Sequence, residues 1–142
     1  MIIKELRYSL IHILEVRKLF KIKTSKDTMD YFDEIGRTRN LQPFILSKIA
    51  ISLSIRSNMP LSDMDFNTDN NGLELNRQTI TGEYDALYKS LIIVNEGHRI
   101  PDNEYFCKYL KAHLDRGAQM LYNEYRYSND LVMYLASLDK GI

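Results

Sequence analysis

The chain has 142 residues, 44% hydrophobic and 27% charged, with nineteen Lys+Arg matched by nineteen Asp+Glu. That length suits one domain over 1–142 that buries a core without disulfide or metal staples, and the composition excludes a disordered chain. Zero formal net charge excludes a global basic field, but the distribution is uneven. Residues 1–26 hold seven basic and two acidic groups (+5), and the other 116 residues hold twelve basic and seventeen acidic (−5). A basic head is joined to an acidic body. The lone cysteine, Cys107, makes no internal disulfide and suits a reducing compartment. Apolar stretches such as Leu91–Val94 fall far short of the ~18 residues of a membrane span. Glu5, Arg7, His12 and Glu15 interrupt any signal-peptide core, so the chain reads as soluble and cytoplasmic.

In chain order, Ile3, Leu6, Leu10, Ile13 and Leu14 predict an amphipathic helix over 2–16. Over Leu19–Thr24, the alternation of Phe20, Ile22 and Thr24 with Lys21 and Lys23 predicts a half-buried strand. Ser25 then caps a helix with Asp27 in its first turn, an apolar stripe of Met29, Phe32 and Ile35, and a stop near Gly36. Pro43 suits the first position of a second helix, where its missing N–H costs nothing. From Phe44 to Ile55 that helix is apolar on nearly every side, which calls for burial on several sides and for contact with another subunit. Pro60 and the polar tract Asn67–Asn71 make the longest loop, and Leu73–Ile80 reads as a short strand after an Asn-Gly turn. Thr81 is a candidate cap for a helix through Tyr84, Leu87, Tyr88, Leu91 and Ile92 that ends at Gly97. Pro101-Asp102 opens a long helix with Phe106, Leu110, His113, Leu114, Gly117 and Leu121 on one face. A last helix follows Ser128, through Leu131, Tyr134, Leu135 and Leu138. The fold class is mainly α, a helical domain with one or two short strands.

Catalytic signatures are missing from the sequence: there is no GxSxG, GxxxxGK[ST], HExxH or CxxC. His12, His98 and His113 are scattered, and His113 falls on an apolar face, the place of a hydrogen-bonded core histidine. Cys107, beside Phe106, reads as a small packed side chain. Gly117 inside a helix points to a close helix approach. Asp63, Asp65, Asn67, Asp69, Asn71 and Glu74 occupy positions 1, 3, 5, 7, 9 and 12 of an EF-hand loop. Thr68 stands where that loop needs Gly, however, so the tract reads as a solvated acidic loop and no metal is expected. Eight of the ten tyrosines fall between Tyr84 and Tyr134. They could stack on single-stranded bases, but without interleaved Arg and Lys they read as core and interface packing.

The strand-helix-helix order at 19–55 is like that of ribbon-helix-helix dimers, whose strands lay outward side chains into DNA. Here those side chains are Lys21 and Lys23, flanked by Arg17, Lys18 and Lys26, which suit phosphate contact without base readout. Equally, lysines on an edge strand block aggregation, and the pattern alone leaves both readings open.

The segments PFILSKIAISLSI, DNNGLELNRQTITGEYDALYKSLI and YFCKYLKAHLDRG resemble the DNA sulfur modification protein DndE family. The most specific part is Asp69, Gly72 and Glu74 with Thr79, Gly82 and Glu83. The resemblance spans residues 19–138 and leaves 1–18 as an N-terminal extension helix. It implies a homotetrameric, non-enzymatic accessory subunit of DNA phosphorothioation, without a cofactor of its own. Such a subunit prefers nicked double-stranded DNA, which it binds through surface lysines. Its implied partners bring the sulfur-transfer and ATPase chemistry. The competing reading is a protein–protein adaptor of the same complex without DNA contact.

Overall fold

The structure, a computed structural model, describes residues 1–61, 67–128 and 130–138. Its elements are α1 (Ile2–Phe20), β1 (Lys21–Lys23), α2 (Lys26–Arg39), α3 (Pro43–Arg56), β2 (Glu74–Asn76), α4 (Arg77–Ile80), α5 (Asp85–Glu96), α6 (Asp102–Glu104), α7 (Lys111–Tyr127) and α8 (Leu131–Ser137). A π-helical stretch, Tyr105–Leu110, joins α6 to α7 without a break. The described residues are thus mainly α with one two-stranded antiparallel sheet.

The centre of the core is the contact of α3 with α7. Leu46, Ala50, Ile51 and Leu53 of α3 meet Leu114, Ala118 and Leu121 of α7, all buried. Gly117 sets their distance, because a Cβ there would fall 1.6 Å from the Ala50 carbonyl oxygen. Only glycine lets the two backbones touch. Phe32 and Ile35 of α2, Ile80, Ile92 of α5 and Phe106 complete the core. Most of the apolar surface of α3 is therefore covered within one chain, leaving Phe44 and Ile45 about a third exposed.

Several boundaries differ from the sequence reading. Helical bonding runs on through Leu19 and Phe20 to the amide of Lys21, so the strand shrinks to Lys21–Lys23 and Phe20 is exposed. α2 does not stop at Gly36. It continues to Arg39 and ends on Asn40, whose left-handed backbone (φ 55°) brings its N–H to the Gly36 carbonyl. Gly36 instead admits the Leu41 carbonyl, which would lie 2.9 Å from a Cβ. Beyond Asn76 the expected strand turns into α4. Thr81 caps nothing. A 3₁₀ turn (Gly82–Tyr84) precedes α5, and the Thr81 hydroxyl lies 2.6 Å from Asp85 Oδ1. Pro43 at the first turn of α3, Ser25 as the cap of α2 and Gly97 as the left-handed end of α5 all stand as read. Among the described residues no helix is long and apolar enough to cross a membrane.

Candidate nucleic-acid interface

Three residues make β1, and their alternation decides which way the lysines face. Ile22 is buried, while Lys21 and Lys23 are exposed. The strand pairs with β2 of the same chain in the register Lys21↔Asn76, Ile22↔Leu75, Lys23↔Glu74. The pairing continues past Lys23. Thr24 donates its N–H to the Leu73 carbonyl, its carbonyl accepts from Gly72 N–H, and its hydroxyl oxygen accepts from Leu73 N–H. Gly72 is required at this closure, since a Cβ would fall 2.1 Å from the Ser25 carbonyl oxygen.

A buried ion pair holds the end of this unit. Asp115 Oδ1 accepts from Ser25 N–H (3.1 Å) and the Thr28 hydroxyl (2.7 Å), both at the start of α2. Asp115 Oδ2 accepts from Lys111 Nζ at 2.7 Å and from the Thr68 hydroxyl. The ammonium also donates to the Asp69 carbonyl at 2.9 Å. Lys111 and Asp115, one turn apart on α7, thus tie together β1, α2 and the loop before β2. The sequence reading missed both. The available signal was a Lys and an Asp at i, i+4 on the side of the helix opposite His113 and Gly117, in a helix buried on both sides, where charge has to be paired.

All five cations singled out from sequence lie on the surface around β1. Four of them meet carboxylates. Arg17 and Lys21 both reach Glu74 Oε1, at 3.1 and 3.9 Å; Lys18 lies 3.5 Å from Glu15, and Lys26 lies 2.9 Å from Asp30. Lys23 makes no ion pair among the described residues, although Glu74 is opposite it in the register. These surface pairs are individually weak and exchange readily for another anion.

The acidic tract serves the fold. Asp69 Oδ1 accepts the N–H groups of Asn71 and Lys26, both at 2.9 Å, and these bonds hold its carboxyl below the usual range. It therefore caps the first turn of α2 from outside the helix. Glu74 faces Arg17 and Lys21 as a strand residue. Asp63 and Asp65 of the EF-hand spacing lie outside the described residues.

A second clamp sits at the C-terminal end of α1. Arg77 donates to the Leu19 carbonyl (3.0 Å), to Asp85 (2.6 Å) and to Asp102 (3.0 Å), with its guanidinium 4.9 Å from the Tyr105 ring centre. Tyr105 donates its hydroxyl to Asp85 Oδ1 at 3.0 Å, and burial, with Asp85 adding to it, pushes that phenol up. Elsewhere, fully buried His113 places Nδ1 2.8 Å from the Ser54 hydroxyl. Ser54 Oγ accepts from Arg116 Nε at 2.7 Å, so its own proton is free for His113. That leaves Nε2 as the protonated ring nitrogen, 3.4 Å from Glu96 Oε1. Burial, with Arg116 adding to it, pushes the His113 pKa down to about 3. The ring is a neutral core histidine with no solvent access, as its place on the apolar face indicated. Burial likewise pushes the half-buried Cys107 thiol above its ordinary value, away from the thiolate a nucleophile needs.

No curated protein matches this chain. The model of one protein family, described as DNA sulphur modification protein DndE, matches residues 21–129. That stretch begins at the first residue of β1 and covers the sheet, the Asp69–Glu74 loop, the Lys111–Asp115 pair and the Arg77 clamp. The chain belongs to the DndE family of DNA sulphur modification proteins.

Proposed function

We propose that the protein is a non-enzymatic, DNA-binding accessory subunit of a DNA phosphorothioation complex. In this reading it is a homotetramer that contacts nicked double-stranded DNA through Lys21 and Lys23, with Arg17, Lys18 and Lys26 flanking. Its partners carry the sulfur-transfer and ATPase chemistry. Family membership supports a role in DNA sulphur modification and association with other proteins of that system. The observation that carries the DNA contact is the outward pair on β1, with Lys23 free of any ion pair among the described residues. Phosphates would displace Glu74, Glu15 and Asp30 from the other four cations. Each phosphate neutralised then lowers the logarithm of affinity by ~0.9 per decade of salt. A nick relieves stacking at one step and so reduces the ~1–6 kcal/mol that bending a duplex toward several basic strands requires.

The test is a salt titration of binding to intact and nicked duplexes by the parent chain and by Lys21→Glu plus Lys23→Glu. Both side chains point away from the core, so the variant keeps its fold. Weaker binding, a shallower salt slope and a preference for the nicked duplex in the parent are expected. An unchanged slope in the folded variant excludes β1 as the contact. It then favours the adaptor reading, which has its own support in the exposed stripe of Leu87, Leu91 and Val94 on α5.

A further inference from the structure

α1 is a 19-residue helix with no buried residue. Its C-terminal end is fixed to the rest of the chain by Arg77 at the Leu19 carbonyl and by Arg17 at Glu74, with Leu19 half-buried. The face away from Leu19 has a definite pattern, with Arg17 beside Glu74 and Phe20 beside Arg77 at its C-terminal end. Ile3, Leu6, Leu10, Ile13, Arg17 and Phe20 follow each other at spacings of three and four, the a/d seam of a coiled coil. The five apolar members are between 53% and 83% exposed. Most helical stability in proteins comes from packing of an amphipathic face rather than from propensity, so a seam of this kind calls for a cover.

We infer that this seam pairs with the same seam of a second copy of the chain, antiparallel, about a two-fold axis between Leu10 and Ile13. Three features select that occupant. First, the seam is self-complementary when reversed: Leu10 meets Ile13 of the other copy, Ile3 meets Phe20, and Leu6 meets Arg17. Every contact is then of the a-to-d kind that antiparallel coiled coils use. Second, charge sets the direction. A parallel pair would place Arg17 against Arg17 and bring the two Lys18 and Lys21 sites to one end. The reversed pair sends them to opposite ends and lays the Arg17 methylenes over Leu6, while the guanidinium stays with Glu74. Third, the area fits. With Ile2 and Leu14 on its flanks, the seam presents on the order of 800 Å² of exposed surface, the share each partner contributes to a standard-size interface. α1 lies outside the stretch that the DndE family model matches, so this contact belongs to this chain's own extension. It does not depend on the DNA reading.

The test measures the solution mass of the full chain and of Leu10→Lys plus Ile13→Lys. Both positions are exposed within one chain, and unchanged near-UV circular dichroism and cooperative unfolding of the variant verify that its body is intact. A twofold drop in mass is expected. Orientation is read by mixing a Leu10→Cys chain with an Ile13→Cys chain under mild oxidation, against the parent with Cys107 alone. Preferential 10-to-13 heterodimers are expected, whereas Leu10→Cys homodimers would overturn the antiparallel pairing. A parent that is monomeric, or a variant of unchanged mass, overturns the pairing itself. So does a monomeric parent whose α1 instead binds vesicles of anionic phospholipid, which would make the seam a lipid contact.

Discussion

Asp115→Asn tests the junction on which the β1–α2 unit depends. The substitution keeps the shape and the Oδ1 acceptor for Ser25 N–H and the Thr28 hydroxyl, but turns Oδ2 into an NH₂ group. That group faces Lys111 Nζ, 2.7 Å away, donor against donor. Among the described residues Lys111 then retains the Thr68 hydroxyl and the Asp69 carbonyl, and its buried charge has lost its ion-pair partner. Breaking one side of a buried pair in this way costs about 3–5 kcal/mol. With a urea slope near 2 kcal/mol/M, roughly that of small proteins, the midpoint should fall by about 2 M. The double variant Asp115→Asn, Lys111→Met removes the stranded charge and should recover at least half of that loss. Equilibrium urea unfolding of the three chains measures both quantities. A single-variant loss under about 1 kcal/mol, or a double variant no better than the single, would refute the buried pair as the anchor.

Gly117→Ala should cost about 3 kcal/mol or more, because its Cβ meets the Ala50 backbone and no side chain can move aside. A urea midpoint within error of the parent would contradict the contact. Gly72→Ala should open the Thr24–Leu73 pairing, read as faster hydrogen exchange at the Thr24 amide; unchanged exchange there would show that the loop closes without it. His113 is neutral in the fold and takes up a proton in the unfolded chain near pH 6.5, so its contribution is complete above that pH. The contribution is lost as pH falls toward about 3, at about 1.4 kcal/mol per unit. Unfolding free energies flat between pH 7 and 5, or ring protons of His113 titrating near 6.5, would contradict this.

What the sequence made legible was what depends on neighbours along the chain. The Ser25 cap, Pro43 at the head of α3, the inward Ile22 between two outward lysines and the apolar face with His113 and Gly117 are all local patterns. What it hid depends on distant partners. The end of α1 could not be placed because Phe20 fits a strand by alternation and a helix by continuity. Arg77, by holding the Leu19 carbonyl, acts on the helical side, from 58 residues away. The acidic tract imitated a calcium loop by spacing, yet Asp69 is aimed at the first amide of α2 and Glu74 at Arg17. The basic cluster of the candidate site was readable as composition. Its local neutralisation was not, because Glu74 reaches Arg17 and Lys21 only once β1 and β2 are paired.

The π-helical stretch between α6 and α7 has a consequence for how the chain tolerates changes of length. On its upstream side, Asp102 and Tyr105 must face Arg77 and Asp85; on its downstream side, Lys111, Asp115 and Gly117 must face the loop before β2, the start of α2 and Ala50. A helix advances about 100° per residue, so these two sets of contacts have an angular phase between them that an unbroken α-helix of this length would miss. The wider turn at Tyr105–Leu110 takes up that phase difference. Loss of one residue there would turn α6 by about a quarter of a revolution and carry Asp102 away from Arg77. Arg77 would then hold α1 with one carboxylate fewer. The stretch works as a phase shifter between two rigid registrations, and the bearing of the N-terminal helix relative to the core is set by a count of residues more than 80 positions downstream of it.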